Sequence, residues 1–247
     1  MHTLSASEVV FAWEHGQGRH AVDRALLLLS LAQPTLSVDT LSELTIGQRN
    51  IILLKLRAMM LGTRAECFAT CPQCGEKLEF PLDIDALLLS VSTEQVPELL
   101  HELNSNGYSV QFRLPTSRDL AAIAASGDLD LIKGRMYLLE QCIVQAQRDG
   151  EAISVSALPE LLRSMIADAM AEADPLAEIT ITLSCFACEL RWKSDFDIGA
   201  FFWKELAAQA RRLLYDVHTI ASAYGWSEAE ILALSAPRRQ FYLEQIR

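Results

Sequence analysis

Apolar positions recur at spacings of three and four through much of the chain, with two short interruptions where they alternate with polar ones. Between Gly18 and Ala32 the residues Val22, Ala25, Leu26, Leu29 and Ala32 mark one helical face, closed by Pro34. Thr45 is placed to cap a second helix through Leu61, with Ile51, Leu54, Ala58 and Leu61 inward and Gly62 as a left-handed stop. Helical patterning is expected again from Ile84 to about Leu103. Asn104-Ser-Asn-Gly107 then reads as a turn, and Tyr108 to Leu114 alternates as a strand ending at Pro115. Thr116 or Ser117 caps a helix beginning near Asp119. Further helices are expected from Leu129 to Gln147 and from Leu158 to Ala171, with Asp128 and Pro159 as start signals. A long helix from Ile198 to Tyr224 stops at Gly225. Ser227 and Glu230 have capping-box spacing, and Ser235-Ala-Pro237 opens a last short helix.

The two alternating stretches each surround a Cys-x-x-Cys. Lys77-Leu-Glu-Phe-Pro-Leu82 follows Cys71-Pro-Gln-Cys74-Gly75, and Glu178-Ile-Thr-Ile-Thr-Leu183 precedes Cys185-Phe-Ala-Cys188, which leads out through Leu190 to Phe196. Both read as β-hairpins with a knuckle at the tip. At an offset of 114 residues Cys71 matches Cys185, Cys74 matches Cys188, Leu78 matches Trp192, Leu82 matches Phe196, and Asp83-Ile84 matches Asp197-Ile198. This is an internal repeat. Two such turns facing each other would supply four thiolates at the corners of a tetrahedron, which suits Zn2+; a shell closed by Cys71, Cys74, Cys185 and Cys188 has no position for substrate, so the ion's expected role is structural. The separation of the pairs exceeds that of a compact ribbon, but the mirrored strands around them allow a ribbon with an insertion. A redox Cys-x-x-Cys would open a helix after a strand, a context neither pair has. Cys67 lies four residues before Cys71 as an alternative ligand, and Cys142 sits in an apolar helical pattern as packed core.

Composition narrows the function. The 247 residues are 51% apolar and 21% charged, enough for a sizeable core, and 11 Gly with 8 Pro leave little room for long linkers. Lys+Arg 21 against Asp+Glu 32 gives a net charge of −11, a field that repels phosphate backbones and anionic lipid, so no nucleic-acid partner is expected. No apolar run approaches the roughly 20 residues of a bilayer span, and Met1 to Glu8 lacks the basic start of a secretory signal. A cytoplasmic location with reduced thiols is expected.

No catalytic constellation stands out: there is no Gly-x-Ser-x-Gly, His-Glu-x-x-His or phosphate loop, and no His-x-Glu before a Pro-Cys-x-x-Cys. His2, His15, His20, His101 and His218 are scattered and read as surface or capping residues. The chain is expected not to be an enzyme. In the C-terminal segment Phe201, Phe202 and Trp203 are read as packing the ribbon onto the last long helix, with an exposed stripe that docks a partner as the other reading. From Arg191 onward 8 basic residues face 7 acidic ones, too little for a phosphate footprint.

Leu44-Thr45-Ile46-Gly47, the two knuckles with Trp192, Phe202-Trp203-Lys-Glu205-Leu206, and above all Glu228-Ala-Glu230-Ile231-Leu232-Ala-Leu234-Ser235 with Arg238-Arg239 and Tyr242-Leu243-Glu244 resemble the T4-like baseplate hub assembly chaperones of contractile phage tails and contractile injection systems. The resemblance implies a cytoplasmic, non-enzymatic factor that binds a baseplate or hub protein during assembly. The resulting expectation is an α+β, predominantly helical chain. It comprises an N-terminal helical region over 1–62, ribbon halves over 63–84 and 178–197, an inserted mainly helical subdomain over 85–177, and C-terminal helices over 198–247. Two alternatives stay open: a zinc-ribbon regulator that binds nucleic acid, and a permanent structural subunit of the baseplate.

Overall fold

The caps along the chain decide where most helices begin. In the computed structural model, which describes residues 1–89, 99–125 and 131–246, the first helix α1 (Ala6–Gly16) starts at Ser5, whose side chain and Glu8 form a reciprocal capping box. That signal was present in the sequence, but the pattern reading began its first helix at Gly18. α2 (Ala21–Ala32) is capped by His20, and α3 (Val38–Ser42) by Ser37. α4 (Ile46–Leu61) opens on a Thr45–Gln48 capping box and ends at Gly62. There φ is +89° and ψ 171°, an extended glycine-only conformation and not the left-handed helical stop expected.

A first hairpin, β1 (Arg64–Thr70) with β2 (Lys77–Asp83), leads into the short α5 (Ile84–Leu89). Next come β3 (His101–Ser105), β4 (Tyr108–Phe112), α6 (Ser117–Ala125), α7 (Leu131–Cys142), β5 (Ile143–Arg148), β6 (Glu151–Ala152) and α8 (Glu160–Ala173). The second hairpin, β7 (Thr180–Ser184) with β8 (Arg191–Asp195), runs into the long α9 (Ile198–Tyr224), followed by α10 (Glu228–Leu232) and α11 (Ala236–Gln245). Helices dominate, and every sheet among the described residues is antiparallel.

Two expected helices are corrected. The segment read as helical to Leu103 and the one read as helical to Gln147 both end as strands of an antiparallel sheet ordered β3-β4-β5-β6. Residues 90–98 of the first segment, and the Asp128 start signal of the second, lie outside the described residues. Between Gln111 and Phe112 of β4 the partner in β5 jumps from Gln145 to Ile143, so the buried Ile143 and Ala146 fall three apart on one face. That bulge imitates a helical period. The turn chemistry pointed the other way: Asn106-Gly107 and Asp149-Gly150 both take positive φ, as a tight hairpin turn requires. Each dipeptide therefore demanded a strand on both sides.

Three apolar clusters form among the described residues. The largest surrounds α9, on which α1, α2 and α4 pack, with Leu28, Leu29, Leu53, Leu54, Phe202, Leu206 and Ile220 fully buried. The second joins β4 and β5 to α7 and α8 through Val110, Phe112, Ile143, Leu139 and Ile166. The third is small and sits at the hairpin tips, around Cys71, Leu78 and Cys185. Phe202 and Trp203 belong to the first cluster, which corrects the expectation that they pack against the ribbon. Trp203 lies against Gly16 and beneath the Arg24 guanidinium, 4.8 Å from its ring centre.

The segment after α8 returns to the start of α4. The Gly47 amide donates to Asp174 Oδ2 at 2.9 Å, and the Asn50 side-chain amide donates to the Leu176 carbonyl at 2.8 Å. Asp174 thus supplies a negative charge at a helix N-terminus, where exposed amides favour one. A Cβ on residue 47 would overlap this carboxylate. Gly47→Ala is therefore expected to lose about 1–3 kcal/mol in urea unfolding, although alanine is the better helix former; unchanged or raised stability would show that the Asp174 contact is dispensable.

A second buried carboxylate organises α6. Arg113 donates through both terminal nitrogens to Asp119, each at 2.7 Å, and Asp119 also accepts from the Thr116 amide and hydroxyl. Burial works against the Asp119 charge, but these donors outweigh it and hold its carboxyl below the usual carboxylate range. The sign follows: stability from this carboxylate is complete above its unfolded pKa of about 3.9 and is lost as pH falls through the lower folded value. Asp119→Asn should be markedly less stable than the parent at pH 7, with the gap closing below about pH 3.5. Equal gaps at both pH values, read from denaturant midpoints, would refute that assignment.

Candidate metal centre

The repeat seen in the sequence is also a repeat in backbone geometry. In the first knuckle the Cys71 amide donates to the Glu76 carbonyl at 2.8 Å and the Gly75 amide to the Cys71 carbonyl at 3.0 Å. In the second, Cys185 donates to Leu190 and Glu189 to Cys185, both at 2.9 Å, at the same offset of 114. Gly75 has φ +75°, and its counterpart Glu189 has φ +59°, so a non-glycine residue adopts the left-handed conformation to keep the turn. The strand registers match too, Thr70 opposite Lys77 and Ser184 opposite Arg191. Asp83 and Asp197 then accept from amides of the helices that follow, and Ile84 and Ile198 are both buried in the main core.

These elements bring the tips together. The sulfurs of Cys71, Cys74, Cys185 and Cys188 all lie within 4.8 Å of one another, with Cys71 to Cys188 and Cys74 to Cys185 each 3.6 Å apart. All four are free thiols. With metal–sulfur bonds of about 2.3 Å, a tetrahedral site has sulfur–sulfur edges of about 3.8 Å, close to what is found. Each contact at 3.6 Å crosses from one knuckle to the other. Leu78, Leu190 and Trp192 pack around the cluster.

The electrostatics suit a cation. Burial opposes the Cys71 thiolate, yet the amides of Cys74 and Gln73 and the neighbouring thiols hold it down at about 7. The Glu76 amide favours a Cys74 thiolate, but burial and the sulfurs of Cys185, Cys188 and Cys71 push it up to about 12. One thiolate is readily formed there, and a second has no compensating charge until a metal ion supplies it. The four cysteines could hold a soft, tetrahedral metal ion. Cys67 is buried in the main core and stands outside this group, and burial pushes its thiol up. Cys142 is buried beside Arg113, as expected for packed core, and burial pushes it up to about 11.

The family model described as T4 bacteriophage base plate protein matches residues 27–203. The chain belongs to this family. The matched span runs from α2 into the first turns of α9, so it takes in both knuckles and everything between them. The stretch from Glu228 to Ser235, prominent in the sequence resemblance, lies beyond it. No curated protein sequence and no solved structure matches the chain. A phage baseplate role, in contact with other baseplate proteins, follows from the family. No helix among the described residues of this baseplate-family protein is long and apolar enough to cross a membrane.

The resemblance set out from the sequence thus points to the right family. What the sequence did not single out is a group of buried polar residues at the start of α4, Arg49, Asn50 and the distant Asp174. Their only sequence signal is polar side chains inside an otherwise apolar helix, Arg49-Asn50 before Ile51-Ile-Leu-Leu54.

Proposed function

We propose that the chain is a non-enzymatic assembly factor, a chaperone for the baseplate hub of a contractile phage tail or injection system. It acts in the cytoplasm by protein–protein binding, and Zn2+ held by Cys71, Cys74, Cys185 and Cys188 is a structural ion closing a ribbon whose halves flank the residues from 85 to 177. The observation that carries this reading is the match to the baseplate family over a span that includes both cysteine pairs. A tetrahedron of thiolates leaves no coordination position for a reacting molecule. Large apolar side chains meanwhile face solvent beyond the matched span: Tyr215 and Phe241 are 69% and 57% exposed. Phe241 borders a cluster in which Tyr224 stacks on Trp226 and Tyr242 meets both edge-on. An aromatic patch with a polar rim is the usual chemistry of an interface centre.

The family description equally supports a permanent baseplate subunit. Quantifying the chain in purified particles separates the two: a chaperone is abundant in the assembling cell and absent from finished particles, whereas a fixed stoichiometry there establishes a subunit. For binding itself, removing everything after Gly225 is a poor test, because Ile231 and Leu232 of α10 are buried in the main core. Tyr215→Ser with Phe241→Ser is the better variant. It should fold normally and weaken hub capture in co-expression at least about tenfold, the loss of one or two interface anchors; undiminished capture would place the interface elsewhere.

A further inference from the structure

A cavity of about 290 Å³ opens between the start of α2, the middle of α6 and the start of α9. Its apolar lining comes from Val22, Ala25, Leu120 and Ile123, and the exposed His20 and Ala124 stand at its edge. Arg49 also lines it, although the residue is only 8% exposed.

The bonding of Arg49 is unusual for a buried guanidinium. Nε and Nη2 both donate to the single Asn50 Oδ1, at 3.1 and 3.0 Å, and Nη1 has no hydrogen-bond partner among the described residues. Arg49 makes no ion pair there either. Buried arginines ordinarily meet a carboxylate; here the fork is only half-filled by protein, and Nη1 is not among the fully buried atoms that lack a partner, so it is left to solvent at the cavity. The nearest acids are already engaged: Asp174 accepts from Gly47, and Asp197, exposed at the cavity edge, caps α9 through Ala200. Both favour the Arg49 charge from a distance, while burial acts against it. The first turn of the 12-residue α2, capped by His20, also borders the cavity and adds positive potential from a helix N-terminus, whereas that of α9 is already met by Asp197.

We propose that this cavity binds a carboxylate carried on an aliphatic group, the C-terminus of a partner chain ending in a residue such as leucine or valine. The Arg49 Nη1 and Nη2 hydrogens would take the carboxylate, and the walls formed by Val22, Ala25, Leu120 and Ile123 the side chain. The volume is ample for one aliphatic residue with its carboxylate and lies at the lower edge of the range of small-ligand sites. The proposal rests on the reading that the protein works by protein–protein contact and adds where one partner terminus docks.

The probe is the acetylated peptide Gly-Gly-Ala-Leu, as free acid and as C-terminal amide, titrated into the metal-loaded full chain and followed by amide chemical shifts around His20, Val22 and Gly199. The free acid should bind saturably, and the amide at least about tenfold more weakly, the expected cost of losing a charged hydrogen-bond partner. Arg49→Met should abolish the preference for the acid. Because that change is buried, Ala124→Phe, on the exposed rim, serves as the second variant: it should fold as the parent does and block the peptide. Displacement of the peptide by inorganic phosphate at similar concentrations would identify a general anion site and overturn the carboxylate assignment. Equal binding of acid and amide, or no saturation by about 5 mM peptide, would also overturn it. If the hub complex forms but the peptide does not bind, this inference alone fails; if the peptide binds and no hub complex forms, the assembly reading alone fails.

Discussion

Purified without a tag, the protein should carry one zinc ion per chain, and chelating it should free the two hairpin tips from each other. The bases of both hairpins are anchored in the main core, through Ala65 and Cys67 on one side and Ile179 on the other. The tips share only a small cluster of Cys71, Leu78, Cys185, Cys188, Leu190 and Trp192. An isolated two-stranded hairpin is marginal in water, so a metal ion held by the four thiolates would be the main bond between the tips. Structural zinc contributes about 10–16 kcal/mol to small domains that fold around it; here part of that should appear as a large fall in the unfolding temperature. Cys74→Ser and Cys188→Ser should behave alike if one ion is shared by both knuckles. Hydrogen exchange should accelerate at residues 71–77 and 185–191 and stay slow in α4 and α9. Cys67→Ser makes the control, expected to weaken the core while leaving one metal per chain. Metal-free protein, or an unfolding temperature indifferent to chelation, would break the link between the hairpins. Iron in place of zinc would keep the site and change its occupant.

Breaking the ion pair between α4 and α9 should have the next largest effect. Arg57, with a side chain only 3% exposed, donates to Glu205 through Nε at 3.0 Å and Nη2 at 2.7 Å. Its remaining terminal nitrogen reaches the carbonyls of Gly62 and Arg64 at 2.6 and 3.0 Å, which ties the end of α4 and the start of β1 to the same side chain. The ring of Phe201 lies 5.9 Å from the guanidinium. Glu205→Gln leaves a buried positive charge without its counterion. Removing one partner of a fully buried pair costs roughly 3–5 kcal/mol, and since Glu205 is about a quarter exposed we expect about 2–4 kcal/mol in denaturant unfolding. Arg57→Met combined with Glu205→Leu should cost less than the two single changes added together, because an apolar pair needs no desolvated charge. A Glu205→Gln variant within about 0.5 kcal/mol of the parent would mean that water screens the pair from the side of Glu205.

Local rules carried far along this chain wherever they depend on residues close in sequence. Thr45, Gly225, and Ser227 with Glu230 fall at the helix ends anticipated for them. The knuckle duplication was legible as well, since each turn closes on itself within a few residues and the offset of 114 could be counted. The same kind of rule was available and unused at Ser5 with Glu8 and at Asp149-Gly150, while at Asn106-Gly107 the turn was read but not the strand before it. At β5 the periodicity itself misled, because a bulge set Ile143 and Ala146 at a helix-like spacing.

The residues alone therefore determined the kind of protein this is: an acidic, mostly helical chain with two copies of a cysteine knuckle and a likeness to baseplate proteins. Only the tertiary structure decided which knuckle sulfurs face each other across the gap, that Phe202 and Trp203 belong to the core of α1 and α2, and that Asp174 returns to Gly47. It alone left Arg49 buried with unfilled donors. The reason is range. A cap, a turn or a Cys-x-x-Cys is settled by bonds among neighbours, whereas a buried charge or a core aromatic is settled by whichever distant segment arrives to desolvate it, and that depends on the packing of the whole chain.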